Sequence, residues 1–451
     1  MSSQIDAAAP ASALGAAGPA TRKKITAWAL WDWGTQPWAS VVTTFVFSVY
    51  LVSSHFGTAN HTALVQSVCL TSASVIIALT APLSGQGADR SGHTMRTLRW
   101  LTWGLAIITA SLVVVAPSPA WLWPGFLLVA AGTILSEIAS ASYNAAIDQV
   151  ATPGNVGRIS GFGWGMGYLG GIVALLAIYF AFIAPEVGLF GVSGTNSMDI
   201  RVSMLFCAVW IVVFTAPIFR TLRDQPPREP VPRLGIVGSY RRLFASIAGL
   251  WRTHRTIVWF LLASALFRDG LNGIFIYGGA MAQNTFGFSA SQVLIFGAAA
   301  NIVAGVATIL MGRLDDRIGP KPVIVISLVA LIVLAMAVFF LHDRGQAMFW
   351  VLGLILCLFV GPAQAASRSY LARLIPAGMS GEVFGLYATT GRVASPLSPA
   401  LFGLFVTIGM AVTGTSNAQY FGIIGIAIVL LAGLIALIPV GRHEAGRPAA
   451  G

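Results

Sequence analysis

Charge is what this chain lacks. Of its 451 residues only 9% are Asp, Glu, Lys or Arg, against 56% apolar. A soluble domain carries about 25% charged residues, and a water-facing surface for a chain of this size cannot be built from so few. Lipid as the surrounding solvent removes the conflict. Cysteine is scarce as well. Cys69, Cys207 and Cys357 each sit alone in an apolar segment, without metal-ligand spacing or an evident pairing, and read as small packing residues. Six histidines are scattered over loops and ends and support no metal site. GxSxG and Walker-type G-x-x-x-x-G-K are absent, which argues against an enzyme and against an ATP-driven pump acting alone. No cofactor is implied.

The net charge is +11. On a soluble protein this points to nucleic acid; on a membrane protein it marks cytoplasmic loops, so no nucleic-acid partner is expected. Residues 1–21 are rich in Ala, Ser and Pro and lack the apolar core of a secretory signal. Residues 1–24 are expected to form a disordered cytoplasmic tail.

A bilayer crossing needs about 20 apolar residues in helix. Twelve segments qualify: 26–52, 63–84, 98–116, 121–147, 160–183, 202–220, 256–281, 290–311, 321–341, 346–370, 382–408 and 418–440. An inside N-terminus puts 22 of the 26 Lys and Arg residues on cytoplasmic tails, loops and segment ends. Arg201 and Arg344 fall outside, and Arg268 and Arg392 fall within spans. An odd number of spans spoils this sorting. The expected protein is therefore an all-α membrane protein of twelve transmembrane helices, multi-pass, with both termini cytoplasmic. Six-helix bundles cover 25–222 and 256–441, and a cytoplasmic tail covers 442–451. The linker, 223–255, opens Pro-rich and extended. It then places Leu243, Ile247 and Leu250 against Arg241, Arg242 and Arg252, the pattern of an amphipathic helix on the inner membrane surface.

The halves repeat. GQGADRSG after the second span carries Gly85, Asp89, Arg90 and Gly92. GRLDDRIG after the eighth carries Gly312, Asp316, Arg317 and Gly319, each 227 residues further on. Ser142-Tyr143 and Ser369-Tyr370 keep the same offset. Parallel six-helix repeats mark transporters whose solute binds between the halves. The two loops resemble the signature loop of the major facilitator superfamily. An Asp at such a helix end can accept hydrogen bonds from a neighbouring helix N-terminus, and the Arg can pair with it or anchor at headgroups. That makes a latch across one face, or else a plain charged turn that sets topology.

Four further patches are more specific. They are WALWDWGTQPWASVVTTFVFSVYL in span 1, GRISGFGWGMGYLGG at span 5, FRDG in span 7, and GPAQAASRSYLARLIPAGMSGEVFGLYATTGR across spans 10 and 11. In this order they resemble the vacuole effluxer family, the autophagy-protein-22-like branch of that superfamily, over nearly all of 25–440. The resemblance implies two six-helix bundles related by a pseudo-twofold axis, with spans 1, 4, 7 and 10 lining a cavity and span 5 facing span 8. It also implies export of a small solute, amino acids being the association of the eukaryotic member. Arg268 departs from the pattern, which has a small polar residue beside the acid. The Ala- and Gly-rich composition points to a high-GC bacterium and hence to its plasma (inner) membrane.

Ionisable groups within spans are costly and few. Asp32, Glu137 and Asp269 fall on cavity helices and are candidates for proton coupling, or else for fixed salt bridges. Arg268 and Arg392 can neutralise an acid or hold an anionic group of the solute. Arg368 suits cytoplasmic anchoring or a latch. Arg158 and Glu382, at the starts of spans 5 and 11, are latch candidates or ordinary helix-end charges. Trp31, Trp33, Trp38, Trp164 and Tyr168 suit either stacking on a solute or the lipid interface. The six glycines of span 5 allow close helix approach, suited to rocking or to static packing. Pro37, Pro396 and Pro399 are expected to bend spans 1 and 11. The expected function is a monomeric secondary transporter of a small solute, efflux favoured, by alternating access, with a proton as a candidate coupling ion. A lipid or lysolipid flippase and a non-transporting receptor or scaffold are the alternatives. Beyond the solute, the only partner implied is the lipid bilayer.

Overall fold

The computed structural model describes residues 14, 20–225, 236–415 and 418–441. Most of the expected N-terminal tail, the Pro-rich start of the linker and the tail from residue 442 lie outside these. The first half contains α1 (Arg22–Pro37), α2 (Phe47–Leu51), α3 (Ala59–Ser91), α4 (Thr94–Ser111), α5 (Leu122–Ala145), α6 (Val156–Ile178) and α7 (Met198–Thr221). After α8 (Ile236–Thr253) the second half contains α9 (Arg255–Asn284), α10 (Ala290–Ile318), α11 (Pro320–Phe340), α12 (Gln346–Leu374), α13 (Ser380–Ala394), α14 (Leu397–Thr413) and α15 (Gly422–Leu437). Among the described residues, the β pairing is one isolated bridge, Val187 to Ser193.

Eleven helical segments in the described residues are long and apolar enough to cross a membrane. The twelfth expected crossing, the first, is present but broken. Pro37 has no N–H to donate and ends α1. The chain widens into a π-helical stretch, Trp38–Phe45, and breaks again at Val46 before α2. Wide turns of this kind concentrate at functional positions. The eleventh crossing is divided too, at Ser395-Pro396 between α13 and α14. At its start α1 corrects the expected boundary: the Thr21 hydroxyl accepts from the Lys24 N–H at 3.4 Å, so Arg22, Lys23 and Lys24 form the first helical turn and not tail.

The halves meet along two seams. α6 runs against α10, and α3 runs against α13; these are the most extensive helix pairings in the fold. Glycine makes them possible. A Cβ on Gly161 would stand 2.6 Å from the Thr308 carbonyl oxygen, and one on Gly312 would stand 2.8 Å from that of Gly157. On the other seam a Cβ on Gly381 would stand 2.7 Å from the Gly85 carbonyl oxygen. Backbones therefore touch directly at both places. The linker helix α8 turns Leu243 and Leu250 inward and leaves Arg241, Arg242 and Arg252 exposed. The Tyr240 hydroxyl on α8 donates to the Leu79 carbonyl of α3 at 3.2 Å.

Overpacking a tight interface costs about 1–3 kcal/mol. Gly312→Val is accordingly expected to lower the thermal melting point in detergent. Gly403→Val, at a glycine with nothing within 4 Å of its added Cβ, is expected to melt close to the parent. Equal melting of the two variants would remove the backbone seam as a constraint.

Candidate functional site

Both copies of the repeated loop end on a helix of the opposite half. Asp89, near the end of α3, accepts from the N–H groups of Gly381 and Glu382 at 2.8 Å each. These open α13. Asp316, near the end of α10, accepts from Gly157 N–H at 2.7 Å and Arg158 N–H at 3.0 Å. These open α6. The first N–H groups of a helix have no partner within it and carry its partial positive charge, so a carboxylate fits them well. Glu382 and Arg158 thus join the contact through their backbones. Gly85 and Gly312 supply the close approach that brings each acid within reach. Arg90 is half-buried and Arg317 exposed beside them. All of these lie on the face that gathers the arginines, the basic face, and the two Asp contacts join the halves there.

A second cross-half contact lies deeper. Arg368 of α12 is 2% exposed, so it anchors nothing at the lipid surface. Its Nε donates to the Ser160 hydroxyl at 2.9 Å and its Nη2 to the Ser160 carbonyl at 2.6 Å. Its Nη1 donates to Asn144 Oδ1 at 3.0 Å and reaches Asp32 Oδ2 at 3.5 Å. The guanidinium lies 4.8 Å from the Trp28 ring centroid and 5.6 Å from those of Tyr143 and Trp164. Tyr143 completes the circle by donating to Asp32 at 3.0 Å. A C-terminal-half arginine is thereby held wholly by residues of the N-terminal half.

Glu137 of α5 forms a salt bridge with Arg392 of α13, again across the halves, with the side chains 36% and 25% exposed. It is more accessible than the Asp32–Arg368 pair. Asp269 and Arg268 have different surroundings. Asp269 is 4% exposed and its carboxylate accepts from Ser398 N–H at 2.7 Å. It caps the start of α14 where Pro396 broke the crossing. Arg268 lies over the Tyr387 ring at 3.7 Å and donates to the Tyr387 carbonyl at 3.0 Å. Neighbours in sequence, the two make no ion pair with each other among the described residues.

The five aromatics divide. Trp164 faces Arg368, and Tyr168 stacks across the halves on Phe275 at 6.0 Å. Trp33 packs on Trp210 and Phe214. Trp31 and Trp38 are 2% and 3% exposed, neither at a lipid surface nor open to a cavity. Trp31 donates to the Thr102 hydroxyl at 3.0 Å, and Trp38 fills the space left by Gly132.

Sequence reasoning missed one buried cluster. Arg373 donates to Asp315 at 2.6 Å and to Asp316 at 3.3 Å, and Ser369 donates to Asp315 as well. A signal existed. The positions 227 residues before Asp315 and Arg373 are Ala88 and Ala146, so both charges appear in one half together and vanish from the other together. No cluster of three or more His, Cys, Asp or Glu placed to hold a metal occurs among the described residues. The arrangement sets ion pairs between the two halves.

The profile of the family described as "Vacuole effluxer Atg22 like" matches residues 140–450. The MFS-type transporter YxiO of Bacillus subtilis (strain 168) is 25% identical over 417 residues, covering 91% of this chain and 94% of that protein. Autophagy-related protein 22 of Yarrowia lipolytica is 24% identical over 70% of this chain, which spans only 57% of that longer protein. Among solved structures, the proton:xylose symporter XylE has a TM-score of 0.68 at 14% identity, covering 94% of this chain and 96% of its own. A bacterial homologue of the iron transporter ferroportin, in an outward-facing state, has a TM-score of 0.65 at 16% identity, with 93% and 98% covered. At such identities the structures share the fold alone: a major facilitator fold of two six-helix bundles.

Charged acceptors make hydrogen bonds about twice as strong as neutral ones. Asp89→Asn or Asp316→Asn is therefore expected to weaken closure of the basic face by about 1–2 kcal/mol, a factor of about 5–30 in the open population. Maleimide labelling of Ala365→Cys, buried beside Ser160, is expected to accelerate accordingly, and further in the double variant. Unchanged labelling would show that these contacts do not hold the face shut.

Proposed function

The chain belongs to the vacuole effluxer Atg22-like family and is a multi-pass membrane transporter, and from that premise we propose that it exports a small solute by alternating access across a bacterial plasma membrane. Both termini are cytoplasmic in this reading, since the basic face is then the inner one. It acts as a secondary transporter and not as an enzyme. One observation carries the proposal: the ion pairs Asp32–Arg368 and Glu137–Arg392 are each made between the two halves. Any motion that parts the halves must leave four charges in search of new partners. Solute, water or protons then supply them, which ties the movement to what is bound.

Asp32 is the residue proposed to take the proton. Its counter-charge is Arg368, which withdraws with the C-terminal half, and a proton can replace it as the compensating charge. Glu137 and Arg392 are proposed to hold polar groups of the solute, being the more exposed of the two cross-half pairs. Trp164 and Tyr168 offer it flat walls. The family description names an effluxer, which supports the direction, and amino acids or related metabolites are the first solutes to test. Asp269 is assigned to holding α14.

A second reading has its own support. A cleft between Phe45 and the C-terminal half is walled by Ile274, Phe275, Phe296 and Phe349, with Tyr277 and Asn301 among few polar groups. Such a wall suits a solute with an apolar part and keeps lysolipid transport as the alternative.

Protein reconstituted in liposomes and screened with amino acids, with and without a pH gradient, tests the assignment. Asp32→Asn is expected to abolish stimulation by the gradient while leaving solute exchange measurable. Glu137→Gln is expected to raise the KM, and Asp269→Asn to keep the gradient dependence but melt at lower temperature. Gradient-dependent transport unchanged in Asp32→Asn would end the proton role of this residue. Lysophosphatidylcholine competing better than any amino acid would move the conclusion to the second reading.

A further inference from the structure

Three arginines from the two halves border one cavity on the basic face. Arg22 opens α1, Arg158 stands in the first turn of α6, and Arg313 lies in the last two turns of α10. They line a cavity of about 360 Å³ whose other walls are apolar, among them Ile25, Phe162 and Ile309. All three arginines are exposed, and none has an ion-pair partner among the described residues. Asp316, on the adjoining turn, attracts Arg158 electrostatically, but its oxygens already accept from the start of α6 and from Arg373. Asp315 is likewise taken by Arg373 and Ser369. The cavity is thus a positive bowl with an oily wall, made only when α1 and α6 stand against α10.

We propose that this cavity binds the phosphate of an anionic phospholipid, and that the bound lipid holds the basic face closed. Guanidinium groups match phosphate oxygens in pairs, and three of them converge here. A free phosphate satisfies the charge but leaves the apolar wall against water. A phospholipid satisfies both, its acyl chains lying along Ile25, Phe162 and Ile309. The three arginines sit in the terminal turns of their helices on the basic face, and basic residues close to a membrane surface attract an anionic leaflet. Since α1 and α6 belong to one half and α10 to the other, a lipid seated between them favours the closed arrangement over the parted one.

The test uses the full chain in nanodiscs of phosphatidylcholine with or without phosphatidylglycerol. Native mass spectrometry is expected to show phosphatidylglycerol retained in preference to phosphatidylcholine. Roughly a hundredfold of that preference, from three basic residues, should vanish in R22Q/R158Q/R313Q. The charge-conserving R22K/R158K/R313K should keep most of it. In the parent background, phosphatidylglycerol should slow maleimide labelling of Ala365→Cys several-fold, a readout that does not depend on the arginine variants folding. Equal retention by the parent and the glutamine variant would overturn the site. Displacement of phosphatidylglycerol by excess inorganic phosphate would overturn the lipid assignment and leave a soluble anion as the ligand. Labelling indifferent to the lipid would overturn its role in closure.

Discussion

The first turn of a helix has N–H groups that the helix itself cannot satisfy, and α6 and α13 take their acceptors from the other half of the molecule. Hydrogen bonds to a charged group contribute about 1.5–3 kcal/mol each. Four of them, two at each site, therefore outweigh the few kcal/mol that separate typical conformational states. The place of the contact lowers the cost of parting it. At the end of the bundle, parting the halves admits water to both the carboxylates and the freed N–H groups. Buried at mid-depth, the same acids would be left uncompensated, and opening would cost far more.

Two such contacts impose a geometry on everything between them. The helices they join must approach until backbones touch, and this is why glycine occupies Gly85, Gly161, Gly312 and Gly381. A side chain at any of these four positions would press on backbone of the facing helix. The symmetry is incomplete, however. Only the second half adds Asp315 and Arg373, which fix Asp316 from behind. The first half has alanines at both places, and Asp89 stands without that brace. The α6–α10 side carries this brace, and it is also the side where the arginine-lined cavity forms.

Much of this was legible in the sequence, and the limits have physical causes. Crossings, halves and the repeated loop could be read because each depends on local composition or on a fixed offset. That an Asp at a helix end looks for another helix's N–H groups follows from electrostatics alone. Which helix it finds does not, since that needs the packing of both halves. The tryptophans show the same boundary. Nothing local tells Trp38, filling the gap over Gly132, from Trp164, facing a buried arginine. Arg368 stands near the inner end of its span in the sequence, where arginines ordinarily reach for headgroups. Its burial depends on Ser160, Asn144 and Asp32, all brought from far along the chain. The Asp315–Arg373 pair was visible only as a departure from the repeat.

Asp269 and Asp32 both fall on cavity helices, and what sets them apart is the partner each carboxylate holds. The carboxylate of Asp269 rests on Ser398 N–H, and α9 and α14 lie within one half. Whatever the two halves do, that partner travels with it. A charge whose compensation is the same in every state cannot report which state the protein is in. Asp32 rests on Arg368 and Tyr143, of which the first belongs to the other half and the second to its own. When the halves part it keeps a hydroxyl and loses a cation. Its electrostatic surroundings therefore differ between the two states by a full charge, and a difference of that kind is what coupling to an ion requires. Within a membrane fold built from moving bundles, the informative question about a buried acid is which body carries its counter-charge.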